Sequence, residues 1–128
     1  MYIGSMINDS SSMSFKVKED LTGGGLTAVA LSEDGITTAT SSDTSLIGIV
    51  MAENELPIHK GENVAVQIKN VGMWKIGETI KAGDFLTAGE DGVAMKATSG
   101  KFILAQALTS GVKGETIHVQ ITKSGFAS

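Results

Sequence analysis

Residues 60–68 run Lys60, Gly61, Glu62, Asn63, Val64, Ala65, Val66, Gln67, Ile68, and residues 113–121 repeat them as Lys113, Gly114, Glu115, Thr116, Ile117, His118, Val119, Gln120, Ile121. In the first copy Val64, Val66 and Ile68 point one way while Asn63, Ala65, Gln67 and Lys69 point the other. In the second, Ile117, Val119 and Ile121 alternate with His118, Gln120 and Thr122. Strict alternation of this kind marks a half-buried β-strand, and the Lys-Gly-Glu before it marks a turn.

The correspondence extends outward in both directions. Upstream, Glu33, Asp34, Gly35 reappears as Glu90, Asp91, Gly92. An Asp-Gly pair between apolar runs signals a hairpin, because both residues tolerate positive φ. Each pair leads into a short strand, a Ser/Thr-rich loop holding Ser42 or Ser99, and a long apolar strand, Leu46 to Met51 or Phe102 to Leu108. Downstream, Gly72 matches Gly125. The chain is therefore read as an internal duplication, with units of about residues 21–72 and 78–125. The two copies are expected to pack face to face as pseudo-symmetric halves.

Further period-two segments are Phe15 to Lys18, Leu26 to Leu31, Ile36 to Ala39, Val71 to Ile76, Phe85 to Ala88 and Val93 to Met95, and none of the chain has helical periodicity. The phrase Lys75 to Ile80, followed by Lys81 to Asp84, reads as two turns at the crossover between the units. The expected fold is all-β, a small barrel or sandwich of about ten short strands. It is a single domain over residues 14–128, preceded by a flexible arm over 1–13 that carries Tyr2, Ile3, Met6 and Ile7.

Composition narrows the function. With 128 residues, 41% hydrophobic and 19% charged, the chain can bury a core by itself. It has no cysteine, which excludes disulfides, thiolate metal sites and cysteine nucleophiles. All ten basic residues are lysine, and aromatics make up 5%. Without arginine forks or a stacking platform, nucleic acid is not an expected partner. No apolar window is long enough to span a membrane, so no membrane partner is expected either.

No catalytic or metal constellation is found. His59 and His118 stand at non-equivalent places in the repeat without convergent partners, and Glu33, Asp34, Glu90 and Asp91 are explained by their turns. Gly23, Gly24, Gly25 lacks the Lys-Ser/Thr of a phosphate loop and reads as a flexible turn. The expectation is a non-enzymatic protein without a cofactor. Tyr2, Ile3, Ile7, Phe15 and Trp74 are the candidate contacts to a partner or to another subunit, since aromatic and aliphatic anchors dominate interfaces.

Leu46 to Ile49 with Gly61 to Ile68, Ile80 to Leu86, Gly92 to Met95, and Leu104 to Leu108 with Gly114 to Ile121 together resemble the phage capsid decoration, or cement, proteins. The similarity runs from about Leu21 to Gly125. It implies a structural virion protein, made in a bacterial cytoplasm, that binds the major capsid protein on the outer surface of an assembled head. Such proteins are commonly homotrimers and stabilise the shell. A head-fibre or tail-attachment module is an alternative with the same outward character. A second alternative is a carrier or β-clip-like ligand-binding module: Val93 to Ala97 resembles the Ala-Met-Lys-Met hairpin of biotinyl carriers, which would make Lys96 the modified residue.

Overall fold

The computed structural model describes residues 12–21, 25–41, 45–51 and 58–127. Ten strands form: β1 (Ser12–Lys16), β2 (Ala28–Ser32), β3 (Gly35–Thr38), β4 (Leu46–Val50), β5 (Asn63–Gln67), β6 (Asn70–Lys75), β7 (Phe85–Ala88), β8 (Ala94–Lys96), β9 (Phe102–Ala107) and β10 (Thr116–Phe126). The all-β expectation holds, and every strand but β1, which shares only Phe15 and Lys16 with its segment, falls largely on a segment with period-two patterning. β1 starts earlier than the arm boundary placed it, since Ser12 and Met13 pair with Gln67 and Val66. The Gly23 to Gly25 turn lies mostly outside the described residues.

The strands divide into two antiparallel sheets with orders β1-β5-β4-β2-β3 and β6-β10-β9-β7-β8. Adding five to each strand number converts the first order into the second. Each sheet curls until its edges meet: a parallel bridge joins Val17 to Ile36 in the first, and Ile76 to Ala94 in the second. The duplication therefore produces two small rolls. Backbone hydrogen bonds fix the correspondence atom by atom. Val17 N–H donates to Glu62 O as Ile76 N–H donates to Glu115 O, and Ala39 N–H donates to Ala28 O as Ala97 N–H donates to Phe85 O. The Lys-Gly-Glu turns are the same object twice, with Gly61 at φ 92° and Gly114 at φ 94°. In each, the glutamate Oε1 accepts a backbone N–H from three residues upstream, from His59 to Glu62 and from Val112 to Glu115.

This correspondence places Phe15 to Leu21 over Trp74 to Ile80. The phrase Lys75 to Ile80 is thus the closing segment of the second roll, equivalent to Lys16 to Leu21, and not a turn at a crossover. The hairpins also differ. Glu33 and Asp34 form a two-residue loop between the paired Ser32 and Gly35, whereas in the second copy Gly89 N–H donates to Val93 O and the three residues Glu90–Gly92 make the turn, with Asp91 and Gly92 at φ 57° and 75°. The doubly positive backbone expected of an Asp-Gly turn occurs only in the second.

Each roll has an interior. In the first it comprises Val17, Leu21, Val29, Ile36, Val50, Ile58 and Val66, edged by the half-buried Phe15, Ile47, Val64 and Ile68. In the second, the equivalent Trp74, Ile76, Ile80, Leu86, Ala94, Leu104, Ala107, Ile117, Val119 and Ile121 belong to one cluster that also takes in Ala28, Ala30, Ala39, Leu46 and Ile49 from the outer side of the first roll. The halves therefore do not meet face to face. The flank of the first roll, along β2 and β4, covers an end of the second. Asymmetry follows because a flank and an end are different surfaces.

One hydrogen bond crosses this joint, and a second, inside the second roll, shapes the turn that meets it. Lys75 N–H donates to Leu26 O at 2.9 Å, and the Trp74 indole Nε1–H donates to Gly92 O at 2.8 Å. A Cβ on Gly92 would lie 2.5 Å from Ala28 O, so the turn touches β2 backbone to backbone. Trp74→Phe removes a buried donor's bond and ring volume, and we expect it to lower stability by about 1–3 kcal/mol in urea unfolding. Gly92→Ala combines a clash with a left-handed φ, whereas Gly114→Ala meets open space at a similar φ. The first is expected to destabilise clearly more than the second, which should lose roughly 1–2 kcal/mol from backbone strain alone; equal losses would mean that the Gly92 turn is not clamped against β2.

Candidate interaction surface

The equivalence between the rolls shows where apolar surface has been left uncovered. At the covered end of the second roll, Trp74, Ala88, Leu104, Ile117 and Ile121 are buried. Their counterparts in the first roll are Phe15, Leu31, Ile47, Val64 and Ile68. Leu31 is 46% exposed, the adjacent Met13 is 52% exposed, and the rest are half-buried. The end of the first roll is thus an apolar rim without a cover among the described residues. The flank that would correspond to β2 and β4 lies on β7 and β9, where Phe85 replaces Ala28 and is 47% exposed.

A groove of 280 Å³ follows the joint between the rolls and presents Met51, Val71 and Met73 beside Gln67. The Gln67 amide donates to the carbonyls of Lys69 and Val71, pinning the link between β5 and β6. Phe102 and Phe126 meet edge to face at 5.7 Å where β9 begins and β10 ends.

The predicted contact residues separate. Tyr2, Ile3 and Ile7 lie outside the described residues. Phe15 is half-buried at the rim of the first roll. Trp74 is fully buried, so its indole serves the joint and offers no surface to a partner. Its place in the repeat could have been read from Phe15-Lys16-Val17 against Trp74-Lys75-Ile76, a likeness hidden by assigning the second phrase to a crossover. Leu31, Met13 and Phe85 were missed because each sits in a strand where alternation alone assigns a face and not its exposure.

Among the described residues, chemistry-bearing side chains do not converge. Among the described residues no three His, Cys, Asp or Glu side chains are grouped to hold a metal. His59 lies 3.7 Å from Asp20, both exposed, and Lys60 N–H donates to Asp20 Oδ1. That backbone bond, helped by His59, holds the Asp20 carboxyl below its ordinary pKa despite slight desolvation. His118 is exposed on β10. Lys96 ends β8, paired with Leu86, and its backbone N–H donates to Glu78 Oε2. It therefore occupies a strand and not a hairpin tip, unlike the lysine that a carrier presents. No described helix is long and apolar enough to cross a membrane.

No protein-family model matches this chain, and no curated protein matches it. Its fold has a counterpart among solved structures in the N base of head fiber gp8.5 of bacteriophage phi29, with a TM-score of 0.63 and 21% sequence identity over 91% of this chain and 98% of that one. With 91% of this chain aligned, the likeness extends over both rolls.

Proposed function

We propose that this chain is a structural component of a phage head, attached to the outer surface of the capsid as a homotrimer and stabilising the shell. The observation that carries this reading is the match over nearly all of both chains to the N base of a phage head fiber. The resemblance of its glycine-punctuated strands to decoration proteins points to the same location. Exposed apolar residues at the rim, the groove and the β7 flank, with Leu108, Val112 and Phe126 elsewhere, suit a protein that works through contact area. Modest contacts repeated around a shell add through multivalency, so no single tight site is required. The partner is the major capsid protein, and no enzymatic step or cofactor enters.

Head-fibre base and decoration protein differ in what stands above the capsid, and the fold likeness favours the base. The segment that precedes β1, residues 1–11 with Tyr2, Ile3 and Ile7, is assigned to the shell contact. Co-sedimentation of the purified protein with phage heads lacking it should show saturable binding, and decorated heads should release DNA at a higher temperature than bare ones. Failure to bind would sink the proposal. Binding by the chain without residues 1–11, which leaves β1 whole, at unchanged occupancy would remove the arm from the contact and leave the rolls as the attachment.

A further inference from the structure

We infer that the open edge of β6, which runs along the groove between the two rolls, is a strand-addition site for residues 1–11 of the same chain. The inference says what holds the segment that is proposed above to meet the shell. It rests on that reading only for what the segment touches beyond this chain.

β6 is the last strand of its sheet, with β10 on one side only. Along an antiparallel pair, successive residues turn their backbone groups alternately toward and away from the partner strand. Ile76 N–H donates to Glu115 O at the end of the β6–β10 pairing, so Trp74 and Gly72 also address β10, while Lys75, Met73 and Val71 address the opposite side. Two bonds agree with this alternation: Lys75 N–H donates to Leu26 O, and Val71 O accepts from the Gln67 side-chain amide. Val71 N–H, Met73 N–H and Met73 C=O are thereby aimed into the groove, and none of them is bonded to a described residue. A row of unpaired backbone donors and acceptors is the template on which an extended chain adds.

The groove decides what kind of chain it takes. Its 280 Å³ are walled by both rolls, with Ile49 and Met51 from the first and Val71 and Met73 from the second, and no lining residue is charged. Walls on both sides admit a single extended segment and keep out the edge of another folded sheet. The fit is therefore to a lone segment of uncharged residues.

The chain carries such a segment, and it begins at the groove. Residues 1–8 have no charged side chain and include Tyr2, Ile3, Met6 and Ile7. The residues after them lead to Ser12, which pairs with Gln67, and Gln67 is part of the groove wall. From Ser12 back to Ile7 an extended chain reaches about 17 Å, whereas the edge from Val71 to Met73 spans about 7 Å. So short a tether raises the effective concentration of the segment at its own groove far above that of the same segment on another copy. Alternate side chains of an added strand point to opposite faces, so one set enters the groove and the other stays outside for the shell.

Amide hydrogen exchange, followed by NMR on the free protein, tests this by comparing the full chain with one lacking residues 1–11, which keeps β1 whole. The Val71 and Met73 amides should exchange roughly tenfold or more slowly in the full chain, while the Gly72 amide, bonded to β10, should be equal in both. Met51→Glu places a charge in the groove and should bring Val71 and Met73 of the full chain to the truncated rate. Met73→Pro removes a groove-facing N–H without touching a β10 bond, a change that an edge strand tolerates, and should likewise free Val71. Phe85→Glu, at an exposed apolar residue outside the groove, should leave the protection in place. Thermal melts verify that all variants fold. Equal exchange in the full and truncated chains would overturn the inference. Protection that fades as the chain is diluted would place the segment on a neighbouring copy and overturn it as well. Head binding separates this outcome from the reading it deepens. A protected edge in a chain that does not bind heads overturns only the shell contact, and heads bound by a chain with fast-exchanging Val71 and Met73 overturn only the strand addition.

Discussion

The hydrogen bond from the Trp74 indole to the Gly92 carbonyl is the constraint on which the arrangement of the two halves depends. It holds the β7–β8 turn down against β2 and fills the end of the second roll with the largest side chain in the protein. A buried indole N–H without an acceptor would be costly, so the turn must adopt the one backbone path that aims the Gly92 carbonyl inward. That path needs φ values of 57° and 75° at Asp91 and Gly92, which Asp and Gly tolerate. The third residue of the Glu90–Gly92 turn is what distinguishes it from the tight Glu33–Asp34 loop of the first copy.

The two halves illustrate how a duplicated unit diverges without losing its frame. Backbone features are retained in pairs: Gly61 with Gly114, and Asn70 with Lys123, the latter two both at positive φ. Leu26 even takes the left-handed conformation that Gly83 takes in the second copy, at φ 62° against 97°. Side chains, by contrast, have been redistributed according to what each surface meets. Ala28 and Ile49 are buried in the joint, while their counterparts Phe85 and Gln106 face outward. The Gln106 amide there donates to the Gly83 carbonyl, holding its own β-turn instead of a neighbouring roll.

This division explains why a protein without a concentrated polar site can still be specific. Close-packed interiors set each roll's shape, and the relation between rolls is set by one flank-to-end contact. What remains for function is surface: a rim, a groove and an exposed flank. Such features suit recognition of large partners through area and complementarity, as a component of an assembled particle requires.

Alternation and duplication were legible in the sequence because both are local regularities. Period two at Val64, Val66 and Ile68 reports which residues share a face, and the recurrence of Lys-Gly-Glu reports that the same turn is made twice. Those two facts are enough to determine an all-β chain of two equivalent units with no helical layer. They do not determine how the units meet. A buried and an exposed residue on the same strand face look alike in sequence, so Trp74 read as a contact anchor and Leu31 passed as one more residue of a strand. Only the tertiary structure decided that the flank carrying Ala28 lies on the end filled by Trp74, because that choice depends on shape and on the direction of a single turn carbonyl, neither of which leaves a periodic mark in the chain.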